Sequence, residues 1–516
     1  MKNFRKLTAI LLIMTFAAVP VFAADAQSAG VVINGGRVDF SAPPVVENGR
    51  TLVALGEIAK ALGAGVTYEN ETAVIILGDK SVSFTAGENF MVANGEKVPL
   101  DITLDTNMEK TISNSTRVPL RAVAEALGYT VKWNEEEFAA YVDGKKTEFA
   151  DKLNALMPQN ENYMFSPLSI KMALGLLACG AEGETLQEIL CAVDEKSADT
   201  LNENSKAQID KYTAEGILKL SVANSVWLNE SRSFGAKFSD EYINAVKTYY
   251  SAESNTVNND DAVNKINSWV NDKTNGKIPS IISDNEFAAC LINAIYFKGA
   301  WLYQFDKDKT SEDTFTNLNG EEKKIPFMDE TEHMKYYEDG GVQIISMPYS
   351  KRNDATDENG KLINSENSKL NIAMCIVLPK DGKQTDVAAL IKNAKMSSEK
   401  VHVRLPKFKT EYSTSLKDIF KTLGINKAFS ENAQFDKMKT GGSENFFVSD
   451  AIHKTYINVD ENGTEAAAVT AIMVGATSIQ VPDIIREFNA NKPFYYAIVD
   501  TDNNEILFMG RYCMAK

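Results

Sequence analysis

Residues 461–482, ENGTEAAAVTAIMVGATSIQVP, constrain the fold more than any other stretch: after Glu465, seventeen uncharged residues, mostly small or β-branched, run unbroken to Asp483. Such a segment favours an extended strand. At a period of two, Thr464, Ala466, Ala468, Thr470, Ile472, Val474 and Ala476 share one face, and the nearest charge, Glu465, lies on the other. That face is fit for burial in a sheet. An uncharged, β-prone segment with no proline before Pro482 is an aggregation hazard when exposed. It is therefore either a core strand or a strand held in reserve.

A length of 516 residues calls for more than one domain. The first 24 residues carry Lys2, Arg5 and Lys6, then an apolar run from Leu7 to Val21 closing on Phe22-Ala23-Ala24, which is the pattern of a secretory signal peptide. A short membrane anchor is the alternative. No later apolar run reaches the length of a membrane span, so the expectation is an extracellular protein, soluble or associated with the cell surface. Loss of those three cations takes the formal charge from −16 to −19, which argues against binding nucleic acid or an anionic membrane by charge. Cys179, Cys191, Cys290, Cys375 and Cys513 sit among apolar neighbours with no CxxC pairing. They read as buried thiols, and the odd number leaves at least one free.

Residues 31–143 contain a duplication. Arg50–Leu77 aligns at an offset of 65 with Ser115–Val142, pairing Leu55 with Leu120, Ile58 with Val123, Leu62 with Leu127 and Tyr68 with Trp133. Leu55, Ile58, Ala59 and Leu62 recur at i, i+3, i+4 and i+7, as do their counterparts, and Gly63 and Gly128 stand where a left-handed cap ends each helix. A period-two strand is expected after each, over 66–76 and 131–142. The region resembles the small domain called copper amine oxidase N-terminal-like. Residues 25–150 hold no histidine or cysteine, so no metal is expected there. The reading is a non-catalytic α+β module for cell-surface or partner attachment, or a spacer, ending near Asp143–Thr147.

Motifs for an enzyme are poor. SSEK (Ser397–Lys400), SDN (Ser283–Asn285) and KTGG (Lys439–Gly442) carry the tags of penicillin-recognising serine hydrolases, but SDN precedes SSEK instead of following it. Only His333, His402 and His453 exist, none near another in sequence, so a Ser/His or metal site has little to draw on.

Residues 147–516 carry a different set of strings: FSPLSI (Phe165–Ile170), INSWVNDKTNGKI (Ile266–Ile278), NAIYFKGAW (Asn293–Trp301), ENGTEAAA (Glu461–Ala468), FNANKPFYYAIVD (Phe488–Asp500) and ILFMGRY (Ile506–Tyr512). In order and spacing these resemble the serpin family of protease inhibitors. The resemblance implies an α+β fold of about nine helices around three β-sheets with an exposed reactive loop. Helical patterning falls at 147–156, 168–179, 184–192, 261–274, 387–394 and 415–423, and Lys351–Lys369 reads as an inserted polar surface loop.

The resemblance further implies a non-enzymatic, cofactor-free suicide inhibitor whose partner is a target protease, with residues from Gly463 to about Val481 exposed as bait. Glu461, Gly463, Thr464, Glu465, Ala466, Ala467 and Ala468 would form the hinge. Ser166, Ser169, Asn293 and His453 would hold the central sheet closed, and Trp301, Lys407 and Glu461 would lie at its top. The reactive bond is expected between Thr477 and Ser478. No basic residue lies between Glu465 and Arg486, and no aromatic one before Phe488, so elastase-like or subtilisin-like serine proteases fit best, with cysteine proteases as cross-class candidates. The alternative is a non-inhibitory serpin scaffold acting as a binding or surface protein.

Overall fold

The computed structural model describes residues 28–33, 36–47, 49–69, 71–77, 80–100, 116–135, 137–144, 148–213, 219–350, 370–380, 385–442, 446–464 and 484–516. The expected signal peptide, the insertion at 351–369 and the loop residues 465–483 lie outside them.

In the N-terminal module each repeat places a two-turn helix, α1 (Leu55–Ala61) or α2 (Leu120–Ala126), before β structure. Leu55, Ile58, Ala59 and Leu62 are buried, as are Leu120, Val123, Ala124 and Leu127, all in one shared core. Gly63 and Gly128 adopt φ of 72° and 89°, the left-handed conformation that ends each helix. The single strands expected next are hairpins instead: Gly65–Glu69 pairs with Thr72–Leu77, and Thr130–Asn134 with Ala139–Asp143. In each repeat the chain reverses between the paired strands, where a period-two reading alone would carry it straight on. The module meets the second domain closely, since a Cβ on Gly65 would fall 1.9 Å from the carbonyl oxygen of Thr422.

The second domain holds eight α-helices among its described residues: α3 (Phe149–Ala155), α4 (Pro167–Gly180), α5 (Gly183–Ala192), α6 (Ala198–Thr213), α7 (Asp240–Tyr250), α8 (Ala262–Lys273), α9 (Val387–Asn393) and α10 (Lys417–Thr422). Two of these, α6 and α7, have no counterpart in the helical patterning. α4 is the central one. Ser166 caps it by accepting the Ser169 N–H at 3.1 Å, Pro167 supplies a first-turn residue that needs no donor, and Leu168, Ile170, Leu174 and Leu177 are buried.

Ten strands surround the hinge and the two ends of the loop: β1 (Lys219–Asn229), β2 (Glu253–Val257), β3 (Ala289–Ala300), β4 (Ser311–Thr316), β5 (Glu322–Glu338), β6 (Ser397–Pro406), β7 (Phe408–Ser415), β8 (Asp450–Asp460), β9 (Gly463–Thr464) and β10 (Ile485–Asn489). One sheet has the order β2-β1-β3-β9-β8-β7. In the other, β10 is the edge strand, followed inward by β6 and β5, with β4 also on β5, and then the strands Val342–Pro348, Ile372–Pro379, Phe494–Asp500, Glu505–Tyr512 and Tyr163–Phe165. Two of the three expected sheets are thus continuous through β5. Its Lys335–Glu338 end pairs with Val342–Pro348, while Phe327–Tyr336 pairs with β6.

The penicillin-recognition strings, already out of order in the sequence, are scattered in this fold. Ser397 opens β6, whereas Lys439 belongs to a separate two-stranded ribbon with Phe238. All five cysteines are free. Burial pushes the Cys179 thiol up to about 12 and the Cys375 thiol to about 11, so neither supplies a thiolate near neutral pH.

Candidate functional site

The six-stranded sheet has a seam between two long parallel strands. β3 and β8 pair directly from Cys290 with Asp450 up to Tyr296 with Tyr456. Above that the seam is split by β9: Gly299 and Ala300 of β3 pair with Thr464 and Gly463, which pair in turn with Val459 and Asp460 of β8. Gly463 has φ 149°, and a Cβ there would lie 2.2 Å from the Gly299 carbonyl oxygen. Only glycine fits this approach.

This corrects the expectation that the bait is exposed from Gly463 onward. Gly463 and Thr464 are buried. Thr464 does lie on the inward face, as the period-two reading expects. Its hydroxyl is 2.7 Å from that of Tyr349, and both side chains are buried. Glu465, Ala466, Ala467 and Ala468 of the expected hinge, and Thr477 and Ser478 of the expected reactive bond, lie outside the described residues.

Above the wedge, the chain turns through Glu461 and Asn462. The Trp301 and Phe305 N–H groups donate to the Asn462 and Glu461 carbonyls at 2.9 and 3.0 Å, and the Trp301 indole N–H donates to the Asp460 carbonyl at 2.9 Å. Trp301 also stacks on Tyr349, with ring centroids 4.6 Å apart. These contacts fix the turn from which the loop departs. Lys407 Nζ donates to both oxygens of Glu461, at 3.0 and 2.8 Å, and the Thr310 hydroxyl donates to one of them at 2.9 Å. Burial opposes ionisation of Glu461, but the bonds from Lys407, the backbone and Thr310 outweigh it and hold the carboxyl below its usual range.

Lower on the same seam lies a buried polar cluster. Asn293 of β3 and His453 of β8 are register partners, so the hydrogen bond from His453 Nδ1 to Asn293 Oδ1 crosses the seam itself. Nε2 accepts the Ser166 N–H at 3.1 Å, which leaves the proton on Nδ1. The Asn293 amide donates to Ser169 Oγ at 2.6 Å and to Asn224 Oδ1 at 2.6 Å, and the Ser166 hydroxyl donates to the Leu507 carbonyl at 2.6 Å. Desolvation pushes the His453 pKa down to about 3, so the imidazole is neutral at ordinary pH.

The structure therefore brings together Ser166, Ser169, Asn293 and His453 as one group, and Trp301, Lys407 and Glu461 as another. Sequence reasoning missed Asn224, Thr310 and Tyr349. Asn224 faces Asn293 across β1 and β3, a pairing visible only once the register is known. Among the described residues, no group of three or more His, Cys, Asp or Glu side chains could hold a metal ion, and no helix is long and apolar enough to cross a membrane.

Comparison with known proteins places this geometry. The family model for serpin (serine protease inhibitor) matches residues 145–515, and that for the copper amine oxidase N-terminal domain matches residues 32–147. An uncharacterized serpin-like protein of Thermococcus kodakarensis is 33% identical over 386 residues, covering 70% of this chain and 82% of that protein. The leukocyte elastase inhibitor of Xenopus tropicalis is 33% identical, covering 68% of this chain and 92% of its own. Among solved structures, the thermophilic serpin tengpin in its native state superposes with a TM-score of 0.59 at 30% identity, covering 70% of this chain and 90% of that one. A split seam closed by a buried polar cluster, on a chain matched by the serpin model over most of its length, makes this protein a member of the serpin family.

Proposed function

We propose that this protein is a secreted suicide-substrate inhibitor of serine proteases, acting through cleavage of the 465–483 loop and insertion of its N-terminal part between β3 and β8. The observation that carries the reading is the wedge of Gly463 and Thr464, which gives the inserting strand its first two residues and its register. Extension in that register would bring Ala466, Ala468 and Thr470 to the inward face. These are side chains small enough to enter a sheet interior at little steric or desolvation cost.

In this mechanism a protease serine attacks the loop carbonyl and forms an acyl-enzyme. The cut frees the hinge-side segment, which zips down the seam and carries the tethered protease with it. Asn293 and His453 must separate as the seam parts. Inhibition wins when insertion outruns hydrolysis of the acyl bond.

The bond between Thr477 and Ser478 is the proposed site of attack, fourteen residues beyond Gly463. A small residue there suits a shallow apolar pocket, so elastase-like and subtilisin-like proteases are the proposed targets and cysteine proteases of papain type the cross-class ones. The N-terminal module is assigned to attachment at the cell surface or to a protein partner. Mass spectrometry of the C-terminal peptide released from a denatured protease complex tests the placement. A peptide starting at Ser478 supports it, a start outside residues 474–480 refutes it, and clean turnover with no trapped enzyme favours a non-inhibitory binding protein.

A further inference from the structure

The two copies in the N-terminal module share a buried helical stripe but differ on the flank beside it. On α1 that flank carries Glu57, Lys60 and Ala61; at the same places α2 carries Ala122, Glu125 and Ala126. In the first copy the flank is closed. Glu57 accepts the Ser41 N–H at 3.0 Å and the Ser41 hydroxyl as well, and the Tyr68 hydroxyl lies across Gly56, 3.8 Å from where a Cβ would stand. In the second copy Ala122 offers no acceptor and Arg121 replaces Gly56.

What stands beside α2 is a cavity of about 640 Å³, a size that holds a small ligand, and it is lined by residues of this module alone. Leu120, Met91 and Val131 form its buried floor, and Ala122, Val98 and Trp133 its partly buried walls. Trp133 is the one aromatic residue of the lining. Its ring meets that of Phe138 edge-on, at 82° with centroids 5.1 Å apart, and Phe138 takes φ of 46°, an uncommon conformation for a bulky side chain. The turn thus braces the indole as a wall.

Charge is confined to the mouth. Arg121 and Glu125, one turn apart, are 58% and 51% exposed and paired at 3.4 Å, and Arg50 joins them in the lining. Two guanidiniums against one carboxylate give a positive rim on a chain whose formal charge is −16. An exposed pair of this kind contributes little, so Arg121 is free to leave Glu125 for a better acceptor.

We infer that this cavity binds a free single-chain amphiphile with an anionic head, an alkyl carboxylate being the simplest case. The chain lies over Met91, Leu120 and Trp133, and Arg121 and Arg50 receive the head. A mostly aliphatic lining with one flexible thioether fits a chain better than a rigid planar ring. A guanidinium receives a carboxylate through two parallel N–H donors. The chain's negative charge opposes approach to an anionic bilayer, so the ligand is the free molecule and not a membrane lipid. The site involves neither the 465–483 loop nor its insertion, and it holds whether or not the serpin domain inhibits a protease.

Isothermal titration of the full-length protein with decanoate tests this, with decyl maltoside and decyltrimethylammonium as neutral and cationic heads on the same chain. Decanoate should bind saturably, one molecule per chain, with the neutral head about tenfold weaker and the cationic head weaker still. Ala122→Phe fills the cavity from the side of α2 and should abolish binding. Arg121→Glu should weaken decanoate about tenfold and leave decyl maltoside unchanged, a split that general loosening of the module would not produce. Absence of saturable decanoate binding, equal affinity for the three heads, or binding that survives Ala122→Phe overturns the proposal; Arg121→Glu decides it if Ala122→Phe does not fold. Sedimentation with vesicles of phosphatidylcholine and phosphatidylglycerol is the remaining arm. Protein that pellets with vesicles but takes up no free decanoate docks on membranes, and that outcome also overturns it.

Discussion

The hydroxyl of Tyr349 lies 2.7 Å from that of Thr464, inside a sheet that the loop has entered by two residues. The intact molecule thus already holds Gly463 and Thr464 between β3 and β8, with Trp301 stacked behind Tyr349. Replacing Thr464 by Arg puts an unpaired charge between β3 and β8, which costs several kcal/mol unless β9 leaves the seam. The expected result is a protein that keeps its fold, expels the wedge and becomes a substrate, with the stoichiometry of inhibition rising severalfold. Tyr349→Phe should have a milder effect, about 1 kcal/mol, because it removes one buried hydrogen bond and leaves the Thr464 hydroxyl to be satisfied elsewhere. Titration of a fixed amount of protease with each variant measures both.

The ion pair at the turn predicts an asymmetry. The Glu461 side chain is 6% exposed and that of Lys407 37%. Lys407→Ala strands a nearly buried carboxylate with only Thr310 and the backbone as donors, whereas Glu461→Gln leaves an exposed ammonium that water can solvate. Lys407→Ala should therefore destabilise the intact fold more, with Glu461→Gln at or below about 1 kcal/mol. Because the Glu461 pKa is depressed on folding, its contribution is present above the unfolded carboxyl pKa and is lost as pH falls through the folded value. Denaturant melts of the two variants at neutral and acidic pH check both the order and the sign.

His453 sets the acid limit of the closed sheet. Its pKa falls from 6.5 in the unfolded chain to about 3 in the fold, so between those values the unfolded state binds the extra proton and stability drops as pH falls. The slope from this group is about 1.4 kcal/mol per pH unit. Asp151 acts in the opposite sense: burial raises its carboxyl from 3.8 to about 6, against the hydrogen bonds from Ala388 and Ala389, so the fold gains from its protonation as pH falls through that window. The difference between wild type and His453→Gln cancels the Asp151 contribution. The stability of wild type relative to the variant should fall as pH drops below about 6.5.

Cleavage of the loop should raise thermal stability sharply, because the seam then receives a full strand in place of two residues. Several kcal/mol of added pairing and burial correspond to a midpoint shift on the order of 10 °C. Melting curves before and after limited proteolysis check this, and an unchanged midpoint points to a scaffold that does not insert.

Much of this was legible along the chain wherever the signal is local. The duplicated helices could be read from Leu55, Ile58 and Leu62 and their partners, because one buried stripe at helical spacing and one capping glycine are properties of a single turn of chain. α6 was not, since its buried residues Leu201, Ile209 and Tyr212 are thinly spread among polar ones and its stability comes from what it packs against. α7 carried a readable start, Ser239 as N-cap followed by Asp240 and Glu241, which the apolar period alone passes over. The long-range pairings were out of reach. Tyr349 and Thr464 are 115 residues apart, and nothing near Tyr349 marks it as the group that receives the hinge. The position of β9 also depends on how closely β3 and β8 approach above Tyr296, a distance that no local pattern encodes.

The central claim is that a cut loop enters the seam faster than the acyl-enzyme hydrolyses. It is tested most directly by mixing the full-length protein with pancreatic elastase or subtilisin and resolving the products on a denaturing gel. The account predicts a covalent band at the summed mass of protease and inhibitor, withstanding boiling in detergent and absent when the protease serine is blocked beforehand. Complete conversion to cleaved inhibitor alongside fully active protease, with no such band for either enzyme, would contradict it.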